Sequence, residues 1–184
     1  MHTHVKGGVR LLAAALAVVA LGVGATAVAA SAAGPRQDAI AQVRAATRQF
    51  HDVNNVIAAH YGLLTDLNGI SCIDGPPGAG NMGYHYANSK LVGNGIIDPA
   101  KPEAVLYEKT RSGLQITAVE YVVLAQNWHH KNPPELFGQQ FMLQTAPNRF
   151  GLPDFWMLHA WIWKDNPSGR FNPWNPTVHC PQAG

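Results

Sequence analysis

Phe155, Trp156, Met157, Leu158, His159, Ala160, Trp161, Ile162 and Trp163 form a run that is apolar at every position but one. In an extended chain, residues two apart share a face, so Phe155, Met157, His159, Trp161 and Trp163 line one side. Trp156, Leu158, Ala160 and Ile162 line the other. Neither side is suited to water, which places this strand inside a sheet with both faces covered. A helix is the competing reading. The aromatic and β-branched content, and the brackets at Pro153 and Pro167, favour a strand. His159 is then a lone polar group in a buried strand, and it directs the search to other polar residues on inward faces.

Two such residues stand out. In residues 82–87, a short strand, His85 shares its face with Gly83 and Ala87, whose small size leaves room around the ring. In residues 114–124 the even positions read Leu114, Ile116, Ala118, Glu120, Val122 and Leu124, while the odd face carries Gln115 and Thr117. The even face is the inward one, and it holds Glu120 where a bare carboxylate would cost several kcal/mol, or about that, unless paired, metal-bound or protonated. A turn at residues 110–113 joins this strand to one at residues 104–109 as a hairpin.

Residues 37–64 carry apolar residues at helical spacing: Ala39, Val43, Ala46, Phe50, Val53, Ile57, Tyr61 and Leu64. Arg44, Arg48, Asp52 and Asn55 fall opposite. The expectation is one long amphipathic N-terminal helix laid on an antiparallel sheet or half-barrel, an α+β fold. His60 lies at the flank of the stripe and is a secondary site candidate, although a histidine there is more often an ordinary boundary residue. His129 and His130 sit beside Lys131 and Asn132 in a polar turn and read as surface residues.

Residues 1–33 read as an export signal: Lys6 and Arg10 precede an Ala, Val and Leu run, and small residues at 29–33 offer cleavage sites. A membrane anchor is the alternative, because the run is about as long as the shortest spanning helices. Residues 34–184 are then a single exported domain, in contact with a membrane only through the signal segment. Lys6 and Arg10 are two of the 13 Lys and Arg, so the 11 that remain balance the 11 Asp and Glu. That balance argues against nucleic acid as a partner. Cys72 and Cys180 are the two cysteines, and an oxidising compartment favours a bond between them, worth roughly 2 to 4 kcal/mol. Two separate buried thiols are the alternative. Between these landmarks, residues 68–81 are rich in turn residues, and a loop of that length is functional or pinned.

The segments Met82-Gly83-Tyr84-His85-Tyr86, Pro102-Glu103, Glu120-Tyr121-Val122-Val123, Leu136-Phe137-Gly138-Gln139, Asn148-Arg149-Phe150-Gly151-Leu152-Pro153, Leu158-His159-Ala160-Trp161-Ile162-Trp163-Lys164, Asn166-Pro167-Ser168-Gly169 and Trp174-Asn175-Pro176 span nearly all of residues 34–184. Together they resemble a family of exported bacterial proteins to which no activity is attached. An acidic residue commonly precedes Trp-Asn-Pro in that pattern. Pro173 stands there instead, which speaks against a functional role at that position. The resemblance implies a single exported domain and no chemistry.

If the strands carrying His85, Glu120 and His159 share one antiparallel sheet, the three side chains can converge. Two imidazoles and a carboxylate suit a divalent metal, either zinc with an open position or iron in a facial triad. No fixed spacing such as His-Glu-x-x-His locks the geometry. The alternatives are a structural ion pair or hydrogen-bond cluster and a metal-free acid and base site. A different class of function is an aromatic pocket for an apolar small-molecule ligand, with Phe155, Trp161, Trp163 and Tyr84 as its wall. Ser71, Ser89, Ser112 and Ser168 lack the context of an activated nucleophile.

Overall fold

A computed structural model describes residues 1–3 and 34–181. The expected export signal therefore falls outside the described residues, apart from its first three. No helix among the described residues is long and apolar enough to cross a membrane.

The chain begins with α1 (Pro35–Thr47), which has proline in its first turn and Asp38 complementing the positive helix start. The side chain of Thr47 turns back to donate to the Val43 carbonyl at 2.7 Å, and the helix tightens into a 3-10 turn over Arg48–His51. Asp52 then caps a new helix, α2 (Val53–Ala58), its side chain accepting from the Asn54 N–H. The single helix expected over residues 37–64 is thus two helices separated by a turn. The break rotates α2, so Val56 is buried while Ile57, expected inward, is 55% exposed.

Next come β1 (Gly62–Leu63), β2 (Cys72–Asp74), β3 (Asn81–Ala87), the one-turn α3 (Ser89–Val92), β4 (Ala104–Thr110) and β5 (Gly113–Leu124). A small hairpin follows, β6 (Glu135–Leu136) and β7 (Gln139–Gln140), and then β8 (Met142–Gln144) and β9 (Phe155–Ala160). The turn of the small hairpin places Phe137 and Gly138 at positive φ, as two-residue hairpin turns demand. The main sheet is antiparallel and open, in the order β1, β3, β4, β5, β9, β8, with β2 beside β1 on the outer edge of β3. The strands around His85, Leu106, Val119 and His159 are its four inner members, as expected from the sequence. The fold is α+β.

One face of the sheet is covered by the helices. Val43 of α1 packs with Val119, Tyr121, Leu158 and Ile162, while Phe50 and Val56 pack with Val105, Tyr107 and Ile116. The other face gathers Leu106, Ala118, Val122, Phe155, Met157 and Trp161, and the C-terminal tail lies against it through Trp174 and Val178. The Cys72 to Cys180 disulfide closes a 108-residue separation and pins that tail beside β2. A two-bond bridge between Asn81 and Asn175 holds the tail a second time.

Two strand readings are corrected. The alternation along residues 114–124 is interrupted, because Leu106 pairs with Ala118 while Tyr107 pairs with Ile116, leaving Thr117 as a bulge. Ile116 and Leu114 therefore turn to the helix-covered face, and only Ala118, Glu120, Val122 and Leu124 share the opposite one. The Thr117 carbonyl released by the bulge accepts from the Trp163 and Lys164 N–H groups. The second correction concerns residues 155–163, of which only Phe155–Ala160 are strand. Beyond Ala160 the chain turns to bond with Arg170 and Thr117, so Trp163 leaves the face of His159 and donates its indole N–H to Thr47.

Candidate metal centre

The sheet register brings the three predicted residues together. Ala104, Glu120 and His159 lie opposite one another across β4, β5 and β9, and the adjacent row holds His85, Leu106 and Ala118 across β3, β4 and β5. Strands are about 4.8 Å apart, so His85 and Glu120 belong to backbones roughly 9 to 10 Å apart. They meet above β4 on the diagonal between Leu106, which lies opposite His85, and Ala104, which lies opposite Glu120.

His85 Nε2 lies 3.5 Å from Glu120 Oε2, and His159 Nδ1 lies 3.9 Å from Glu120 Oε1. One ligand atom from each of the three residues falls within 4.8 Å of the others. The edge of a tetrahedron with 2.0 to 2.1 Å bonds is about 3.3 Å, so an ion would draw the set inward by a modest amount. His85 and His159 are 1% and 0% exposed, and Glu120 is 8% exposed, its visible edge facing two cavities.

Hydrogen bonding decides what this cluster lacks. His85 Nδ1 lies 3.2 Å from the Gly83 carbonyl, an acceptor, so Nδ1 carries the proton and Nε2 presents a bare lone pair to Glu120. Gly83 has φ of 94°, and a Cβ there would run into the Tyr107 carbonyl, so glycine is required where the chain turns this carbonyl toward His85. The contact from His159 is too long for a hydrogen bond. Three buried nitrogens, His85 Nε2 and both nitrogens of His159, have no hydrogen-bond partner among the described residues. Family models, curated proteins and solved structures give no match to this chain.

Burial pushes the His85 imidazole down to about 4, against the pull of Glu120, so the ring is neutral at pH 7. Burial pushes Glu120 upward, yet His159 and then His85 outweigh it and hold the carboxyl below its ordinary value.

Glu120 borders two cavities separated by Phe150 and Phe155. The first, about 480 Å³, is walled by apolar residues including Leu64, Val92, Val122, Leu124 and Leu152. The second, about 560 Å³, is bordered by Gln144, Thr145, Asn148 and Arg149 as well as Met142 and Met157. Phe150 is held between them by its neighbours. Asn148 Oδ1 accepts from the Phe150 and Leu152 N–H groups, and Arg149 bonds Asp66 at 2.9 Å and Asp74 at 3.1 Å. The sequence reading missed this loop as a site element. Its signal was a lone Arg flanked by Asn148 and Phe150 between turn residues.

Other expectations are placed differently. His60 is exposed, at φ of 66° just past α2, and is not part of the cluster. His129 and His130 are exposed. Of the aromatic residues expected to wall a pocket, Phe155 alone borders the cavities at Glu120. Trp161 is buried in the core, its indole N–H donating to the Asn172 carbonyl, while Tyr84 and Trp163 pack on the helix-covered side.

Proposed function

We propose that this chain is an exported metalloprotein domain whose function is carried by a divalent ion, zinc foremost, held by His85, Glu120 and His159 with a coordination position open toward the cavities. The observation that carries this reading is a neutral His85 presenting a bare lone pair to a carboxylate oxygen at 3.5 Å, beside two further unpartnered nitrogens. Buried polar groups are nearly always partnered, and a structural cluster without an ion would leave this set unsatisfied.

An octahedral facial triad needs three further positions and tetrahedral zinc one, and with both imidazoles sealed the narrow opening at Glu120 suits one. The Nδ1 bond from His85 to a backbone carbonyl is also the usual outer contact of a metal-bound imidazole, fixing the tautomer that ligates through Nε2. When bound in such a His and Glu set, zinc polarises a carbonyl or lowers the pKa of water. Export is supported by the Cys72 to Cys180 bond, which persists in oxidising compartments.

The test is elemental analysis of protein purified from an exporting host, alongside Glu120→Gln, His85→Ala and His159→Ala. The parent is expected to carry stoichiometric zinc, and each variant to lose most of it while the disulfide remains formed. Equal metal content in all four proteins, including none in the parent, would overturn the reading.

A further inference from the structure

We infer that the open side of this centre takes a monoanionic amphiphile, a molecule whose acidic head completes the metal coordination and whose hydrocarbon part occupies the apolar cavity beside Glu120. The inference rests on the metal reading above and adds the chemical class of the ligand.

The cavity wall carries the first part of the argument. Its volume, about 480 Å³, lies within the range of small-molecule sites. Among the described residues, Glu120 is the one ionisable residue that borders it, and Ser89 the one other polar side chain. A ligand entering there finds apolar contact everywhere except at Ser89 and at Glu120, the one residue of the metal set on its wall, so an acidic head has the ion beside Glu120 as its partner. A molecule polar along its length would lose hydration without recovering partners.

Charge carries the second part. A divalent ion held by one carboxylate and two neutral imidazoles leaves one positive charge in excess. His85 and His159 seal that charge from water on the sheet side, being 1% and 0% exposed. An uncompensated charge beside an apolar cavity is costly, and a single negative head group cancels it. A cationic head would add to it, and a neutral one would leave it standing. A dianion would overshoot, since among the described residues no cationic side chain borders this cavity.

The second cavity explains the orientation. It is bordered by Gln144, Thr145, Asn148 and Arg149, and the Arg149 guanidinium is already committed to Asp66 and Asp74. That side suits water rather than hydrocarbon and offers no free cation to compete for an acidic head. The tail therefore belongs on the Leu152 side of Phe150.

The experiment uses the full chain with zinc content measured on every sample, and octanoate, octylammonium, octanol and acetate as calorimetric probes. Octanoate is expected to bind saturably to the zinc-loaded protein, and acetate, shorter by six methylenes, roughly a thousandfold more weakly or worse, since each buried methylene strengthens binding about fourfold. Octylammonium should not bind, and removing zinc should abolish octanoate binding. Leu152→Trp, which fills the apolar cavity, should lose octanoate while keeping zinc. Val92→Trp repeats that test from α3 in case the first variant folds poorly, and Leu143→Trp, on the second cavity, should keep both. A parent that takes up no zinc removes the metal reading and this inference with it. A zinc-loaded parent that ignores octanoate, or binds octylammonium or octanol as tightly, overturns the ligand class alone. Octanoate binding unchanged in both cavity-filling variants overturns its location.

Discussion

On the helix-covered face of the sheet, the hydroxyls of Tyr61, Tyr107 and Tyr121 each donate to a backbone carbonyl, those of Pro102, Phe50 and Pro99, at 2.6 to 2.9 Å. Thr47 donates to Val43 and accepts from Trp163. On the opposite face, a few ångströms away through the same strands, two histidines and a glutamate converge with three nitrogens unpartnered. Both faces bury apolar residues around these groups, so burial does not distinguish them. Satisfaction does. The helix-covered face pairs these buried polar atoms within the chain, and the three nitrogens on the opposite face are where the proposed ion would bind.

The largest effect expected from this contrast is on metal removal. For zinc held at 100 to 1,000 times its dissociation constant, stripping it with a chelator should lower stability by about 3 to 4 kcal/mol, reversed on adding zinc back. The change is read by denaturant titration. A helix-face variant such as Tyr107→Phe should show the same chelator response as the parent, because it shares no group with the centre.

The next effect is a pH dependence, and it arises outside the centre. Glu103 is buried just before β4, where Oε2 accepts the Val122 N–H at 3.0 Å, and burial pushes its carboxyl up to about 8. The unfolded chain releases that proton near the ordinary value of 4.5. Between these values the native state binds more protons than the unfolded state, so stability falls as pH rises. The contribution is fully present below pH 4.5 and lost as pH passes through about 8. Glu103→Gln should flatten the stability profile across that window, which equilibrium unfolding at a series of pH values will show.

Smaller effects separate the faces residue by residue. Tyr107→Phe strands the Phe50 carbonyl and should cost about 1 to 3 kcal/mol with metal content unchanged. His60→Gly relieves a positive φ at the position following α2 where glycine is preferred, and should stabilise by about 1 kcal/mol or less. Metal content measured on the same variant should equal that of the parent. Loss of metal on His60→Gly would show that the surface histidine takes part after all.

Much of this contrast was legible in the chain. Alternation along residues 155–160 and 118–124 marked His159 and Glu120 as inward, and Gly83 and Ala87 marked the space beside His85. Pairing of Glu120 with His159 across β5 and β9 follows from those faces once the strands are neighbours. The disulfide was legible from the count of two cysteines. Other features were not, for physical reasons. Apolar residues at 114 and 116 continue the alternation of 118–124, so a bulge at Thr117 leaves no mark on the pattern. Helical spacing likewise runs on through the 3-10 turn at residues 48–51, although Asp52 with Asn54 and Asn55 offered a cap signal inside the presumed helix. The approach of His85 to Glu120 over β4 is a diagonal contact between strands that are not neighbours. Contacts made across an intervening strand depend on that strand's side-chain volume, which periodicity does not weigh.

The central claim is that a cation completes the three-residue cluster, and X-ray diffraction from zinc-loaded crystals above and below the zinc absorption edge tests it most directly. The account predicts an anomalous peak within about 2.0 to 2.2 Å of His85 Nε2, a Glu120 oxygen and a His159 nitrogen. Zinc-loaded crystals with no anomalous peak among these three side chains, or with His85 Nε2 hydrogen-bonded directly to Glu120, would contradict it.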